Sequence, residues 1–109
     1  MGRNSKDNSL ARYETMLQIV VNYYDYLQHP KIRFSFSSSS RKQRNHEMKF
    51  VRNVKEALAS LNKDERFIIQ NEFFERKSDK FWWEKFYSKS TYYRRRNFAI
   101  KSFMEHFEQ

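Results

Sequence analysis

The sequence predicts an all-α protein of about five helices, and three observations carry that prediction. The 109 residues include one glycine and one proline, too few for the tight turns that hairpins need, whereas long helices need none. Apolar residues recur every three or four positions through most of the chain, the period of a helix buried on one face. Ser, Asn and Asp fall where the periodic stretches begin, and there a side-chain oxygen can satisfy the free N–H groups of a first helical turn. A composition of 39% hydrophobic and 18% aromatic residues suits one helical domain with a modest core made largely of rings.

Taken in order, residues 1–8 are polar and read as a frayed tail. A first helix follows over 9–29, closed by Pro30, which disfavours helical backbone in the residue before it. Leu10, Tyr13, Leu17, Val20, Tyr24 and Leu27 make one stripe on it, with Met16, Ile19, Tyr23 and Tyr26 beside them. A face this wide suits either the centre of a core or an oligomerisation surface for a homodimer, and periodicity does not separate the two. Residues 30–44 break the pattern. Ile32, Phe34 and Phe36 alternate as in a short extended segment, and the serines with Arg41, Lys42 and Arg44 read as a basic Ser-rich loop.

Residues 45–107 form the remaining helical unit. A second helix runs from Asn45 to Leu61, with Met48, Val51, Val54, Ala57, Leu58 and Leu61 on one side. Asn62 caps a third, reaching to about Arg76, and Glu65 is placed to complete a capping box. Its expected core residues are Phe67, Ile68, Phe73 and Phe74. Ser78 and Asp79 open a short fourth helix with Trp82, Trp83 and Phe86 inside, where one Trp anchors the core and the other is half exposed. Ser88 caps the last helix, which buries Tyr92, Ala99, Ile100, Phe103 and Phe107. The pair at 78–107 has the form of a helix-turn-helix.

Charge narrows the function. The net charge is +9, and its excess lies in two acid-free segments. One, 88–102, holds Lys89, Arg94, Arg95, Arg96 and Lys101; the other, 31–44, holds Lys31, Arg33, Arg41, Lys42 and Arg44. A uniformly solvated surface mixes signs, so this clustering points to a polyanionic partner. Catalytic constellations are missing. The chain has no cysteine, its only glycine is Gly2, and His29, His46 and His106 are dispersed, which leaves no ligand set, nucleophile or phosphate loop. No enzymatic activity, metal or cofactor is expected. No apolar run approaches the roughly 18 residues a membrane span needs, and the polar start lacks the apolar stretch of a secretory leader. A cytoplasmic protein with no membrane partner is expected.

On the last helix the 3.6-residue period places Ser90, Arg94, Asn97 and Lys101 on one stripe, opposite the apolar side. Arg suits bidentate contact with guanine and Asn with adenine, while Ser and Lys serve bases or phosphates. Lys89 and Ser90 stand in the first turn, the part of a recognition helix that enters the groove of double-stranded DNA. Tyr93 flanks the stripe, and Arg95, on the other flank, is placed for a phosphate, as are Lys101 and the loop residues Arg41, Lys42 and Arg44. Arg96 falls on the apolar face and reads as a snorkelling or paired structural residue. Phe98 lies toward the outer side, as a simple exposed ring or a contact with a protein such as polymerase.

The segments LNKDERFIIQNEFFE and SKSTYYRRRNFAIKSF resemble the ArpU/RinA-type regulators of phages and prophages, which are in turn similar to the DNA-binding region four of sigma factors. The resemblance covers about residues 45–107. It rests on Leu61, Glu65, Arg66, Ile68 and Ile69, then Ser88, Thr91, Tyr92, Tyr93 and Arg94, then Ala99 and Ile100. The turn before Ser88 reads Phe86-Tyr87, without the glycine common in such turns. The resemblance implies a sigma-like helix-turn-helix in a transcriptional regulator, an activator of phage or prophage late genes acting in a bacterial cell or phage-infected host. Two alternatives use the same residues: an RNA-binding or DNA-packaging component, or an interaction module that binds RNA polymerase.

Overall fold

The computed structural model describes the backbone of residues 2–28, 38–75 and 79–107, with the side chains of 8–28, 45–75 and 79–107. The described residues form four α-helices: α1 (Gly2–Leu27), α2 (Ser38–Ser60), α3 (Lys63–Ile69) and α4 (Lys89–Phe107). A π-helical turn at Gln70–Phe74 extends α3, and a 3-10 helical turn at Trp82–Lys85 precedes α4. No strand occurs among the described residues, so the chain is all-α there.

The core gathers around α4, which packs against α1, α2 and α3. Ala99, Ile100, Phe103 and Met104 meet Met16, Ile19 and Val20 of α1, Val54 and Ala57 of α2, Leu61, and Ile69 and Phe73. A second, smaller cluster joins Ile68, Trp83 and Tyr92 under the start of α4. Trp83 is buried while Trp82 is half-buried, the division expected for two adjacent tryptophans in a short element. Leu10, Leu17 and Met48, expected on apolar faces, are exposed, and Phe67, expected in the core, keeps 36% of its surface. The inward face of α1 is centred on Met16 and Ile19, which turns Leu10, Leu17 and Val21 outward.

Several element boundaries differ from those the sequence suggests. The helix expected over 9–29 begins at Gly2, so residues 2–8 are helical rather than a frayed tail. The apolar period starts only at Leu10, and Asn4, Ser5, Asp7 and Asn8 are weak helix formers, so no local signal marks the early start. Likewise α2 begins at Ser38 and not at Asn45, so Arg41, Lys42 and Arg44 lie in its first two turns rather than in a loop. Ser is favoured at a helix start and Arg, Lys and Gln within one. The extended segment expected at Ile32–Phe36 and the cap expected at Ser78 lie outside the described residues.

Local capping follows the sequence closely. Asn62 Oδ1 accepts from the Glu65 N–H at 2.8 Å and Glu65 Oε1 accepts from the Asn62 N–H at 3.1 Å, the reciprocal pair of a capping box. Arg66 closes the other side of this junction. Its Nε donates to Leu58 O at 3.1 Å and its Nη2 to Ala59 O at 3.2 Å and to Leu61 O at 3.0 Å, so it caps carbonyls in the last turn of α2 and just beyond it. Beyond α3 the ladder widens: the Glu75 N–H reaches Gln70 O at 2.8 Å, five residues back. The element before α4 is one 3-10 turn and not the α-helix expected there. Asp79 Oδ1 starts the turn by accepting from the Phe81 N–H at 2.9 Å, and the neighbouring tryptophans fix it through different partners.

Candidate nucleic-acid interface

The start of α4 is set by Ser88, whose Oγ accepts from the Thr91 N–H at 3.4 Å and donates to Thr91 Oγ1 at 2.9 Å. The first helical bond, from the Tyr92 N–H to Ser88 O, is 2.8 Å. Tyr92 then locks the helix in place. Its ring lies 4.7 Å from that of Trp83 and nearly parallel to it, at 4°. Its hydroxyl donates to Glu72 Oε1 at 2.6 Å. Burial first, and then the Glu72 hydrogen bond, push the Tyr92 hydroxyl far above the usual tyrosine range, so it stays a neutral donor.

Glu72 gathers more than this one donor. Trp82 Nε1 donates to the same Oε1 at 3.0 Å, and the Tyr13 hydroxyl donates to Oε2 at 3.1 Å. One carboxylate in the π turn therefore holds α1, the 3-10 turn and α4 together. Bonds to an ionised acceptor are about twice as strong as neutral ones, and a π turn redirects side chains that a regular helix would aim elsewhere. A further tie fixes the middle of α4, where Ser102 Oγ donates to Glu65 Oε2 at 3.0 Å. The capping box of α3 is thus also an anchor of α4.

Arg96 points inward, as its place on the apolar face implies. Its guanidinium carbon lies 4.4 Å from the centre of the Tyr13 ring and 4.7 Å from that of Tyr93. This sandwich offsets the burial of the cation through the ring quadrupoles; the buried Nε itself has no hydrogen-bond acceptor. Tyr93 has one face on Arg96 and lies 5.9 Å from Trp83, with 37% of its surface still open. It serves the inner packing as well as the flank where the sequence placed it.

The outward side of α4 carries the expected stripe. Lys89, Ser90, Arg94 and Lys101 are exposed and Asn97 is half-buried. Grooves border it on both sides. On the α3 side, Arg94, Arg95 and Phe98 line a groove of about 330 Å³ with Asn62, Asp64, Glu65 and Ile68. Arg95 is exposed and lies 5.9 Å over the Tyr87 ring. On the α1 side, Lys101, Met104 and Glu105 line a groove of about 450 Å³ with Asn8, Ala11, Arg12 and Thr15. The structure therefore brings Ser90, Arg94, Asn97 and Lys101 onto one surface with Lys89, Tyr93 and Arg95 at its edges.

Of the second basic segment, residues 31–37 and all of its side chains lie outside the described residues. The backbone of Arg41, Lys42 and Arg44 precedes Phe50 on α2. The Phe50 ring meets Phe107 at 5.4 Å, at the far end of α4 from Ser90. With a rise of about 1.5 Å per residue, that end is roughly 25 Å from Ser90.

Two contributors went unrecognised in the sequence. Glu72 sits in an ordinary QNEFF segment, and its three donors come from distant parts of the chain. Arg12 lies on α1, and nothing in the sequence pairs it with Lys101. No protein-family model, curated protein or solved structure matches the chain.

Proposed function

We propose that the chain is a sequence-specific, non-enzymatic DNA-binding regulator of transcription that presents α4 to the major groove. The observation that carries this reading is the outward stripe Ser90, Arg94, Asn97 and Lys101, with no acid between Ser88 and Ser102. It lies on a helix that Glu72 and Trp83 hold rigidly from behind. A base-reading helix needs that rigidity, because a bidentate contact is worth about 1–3 kcal/mol only when the side chain is correctly placed. In this reading Lys89, Ser90, Tyr93, Arg94 and Asn97 enter the groove, and Arg95 and Lys101 hold phosphates.

The resemblance of residues 45–107 to ArpU/RinA-type regulators, and through them to sigma region four, supports an activator of phage or prophage late genes. Its setting would be the cytoplasm of a bacterial cell or phage-infected host. No described helix is long and apolar enough to cross a membrane. The 3-10 turn at Trp82–Lys85 would serve as the first element of the helix-turn-helix. A protein partner such as RNA polymerase has candidate contacts in Phe98, which is 63% exposed, and in the linked rings of Phe67, Trp82 and Phe86. A homodimer would use the outward Leu10, Leu17 and Val21.

The same basic face would also serve an RNA-binding or packaging component. Competition between a selected duplex, random duplex and RNA across a salt series separates these readings. A sequence reader keeps a large preference for the selected duplex at every salt concentration, whereas a polyanion clamp loses affinity for all three together.

A further inference from the structure

The groove between α1 and α4 has the chemistry of a phosphate site. Asn8, Ala11, Arg12 and Thr15 recur at i, i+3, i+4 and i+7 and so share one face of α1. The same groove is lined from α4 by Lys101, Met104 and Glu105. Arg12, Lys101, Thr15 and Asn8 can each donate a hydrogen bond, and the small Ala11 leaves room for a ligand to approach the helix. Arg12 is half-buried, so less freedom is lost when its planar fork engages an oxyanion than for a fully solvated arginine.

Charge distinguishes the groove lined by Lys101 from the one lined by Arg94. On the α3 side Asp64 and Glu65 balance Arg94 and Arg95. On the α1 side only Glu105 stands against Arg12 and Lys101. A phosphodiester approaching α4 is therefore favoured on the α1 side. Lys101 ends the stripe that starts at Ser90, roughly 16 Å away at the helical rise, so a backbone held there runs past the C-terminal part of that stripe.

We propose that Arg12 and Lys101, with Thr15 and Asn8, form a phosphodiester-binding site that grips one nucleic-acid strand beside α4 and makes α1 part of the interface. This rests on the reading of α4 as a nucleic-acid surface, and the experiment separates the two. Binding of the full chain to random-sequence duplex DNA is measured from 50 to 200 mM salt, for the wild type, Arg12→Gln, Arg12→Lys and Lys101→Gln. Thermal unfolding of each confirms that it is folded.

Each loss of charge should lower the slope of log affinity against log salt by about 0.9, while Arg12→Lys retains most of it. An unchanged slope in folded Arg12→Gln, beside salt-dependent binding by the wild type, overturns the site and leaves the reading of α4 standing. A wild type that does not bind duplex DNA overturns that reading and with it the nucleic-acid site. Titration of inorganic phosphate, followed at the Arg12 side-chain NMR signal, then distinguishes a small-anion site from no phosphate site at all. The first outcome replaces the phosphodiester assignment, and the second removes it entirely.

Discussion

The Tyr92 hydroxyl and the Glu72 carboxylate, 2.6 Å apart, join the inner face of α4 to the π turn that ends α3. Because Glu72 also receives Trp82 and Tyr13, the position of the outward stripe of α4 depends on a residue that is nowhere near it in sequence. Replacing Glu72 by Ala would leave three donors without their acceptor. The expected cost is about 2–4 kcal/mol, and Tyr92→Phe, which removes one donor, should cost about 1–2 kcal/mol. Denaturant unfolding measures both. An effect under about 0.5 kcal/mol for Glu72→Ala would show that the carboxylate does not hold these elements together.

Alkaline pH should act through the same hydroxyls. Burial raises Tyr13, Tyr23, Tyr87 and Tyr92 above the usual tyrosine value, with Glu72 adding to the effect at Tyr13 and Tyr92. The folded chain thus holds these protons more tightly than the unfolded one. The resulting stability is fully present below the unfolded value of about 10 and is lost as pH rises past it, by up to about 1.4 kcal/mol per pH unit for each such group. Melting temperature measured from pH 7 to 11 should be nearly flat and then fall above about pH 10. Tyr92→Phe, less stable at neutral pH, should fall less steeply, and a parallel decline in both proteins would count against the assignment.

The outward apolar stripe of α1 gives a prediction about assembly. Leu10, Leu17 and Val21 recur at i, i+7 and i+11, with Leu10 62% exposed and Val21 48%. If this face pairs two chains, Leu17→Glu should convert a sedimenting dimer to a monomer while leaving the helical circular-dichroism signal in place. A wild type that sediments as a monomer at high micromolar concentration removes the homodimer.

What could be read from the sequence was what depends on neighbours along one helix. The capping box of Asn62 and Glu65 spans three residues, and the split of Arg94, Arg95 and Arg96 to different sides of α4 follows from the helical period alone. The starts of α1 and α2 are not legible because residues 2–8 and 38–44 carry no apolar period, and Gly2, Asn4, Ser5, Asp7 and Asn8 are weak helix formers. The Glu72 hub stayed hidden for a different reason. Its donors lie 59, 10 and 20 positions away, and no local pattern announces a contact of that kind. The groove of Arg12 and Lys101 likewise exists only once α1 and α4 pack.

Selecting bound fragments from random duplex DNA with the wild type and with Arg94→Ala decides whether α4 reads base sequence. Arg94 is exposed and is not itself a core residue, so the variant should fold normally. The wild type should give a defined consensus, and the variant a loss of about 1–3 kcal/mol on that consensus with relaxed preference at one position. No enriched sequence, or an equal loss on consensus and random DNA, would contradict base reading by α4.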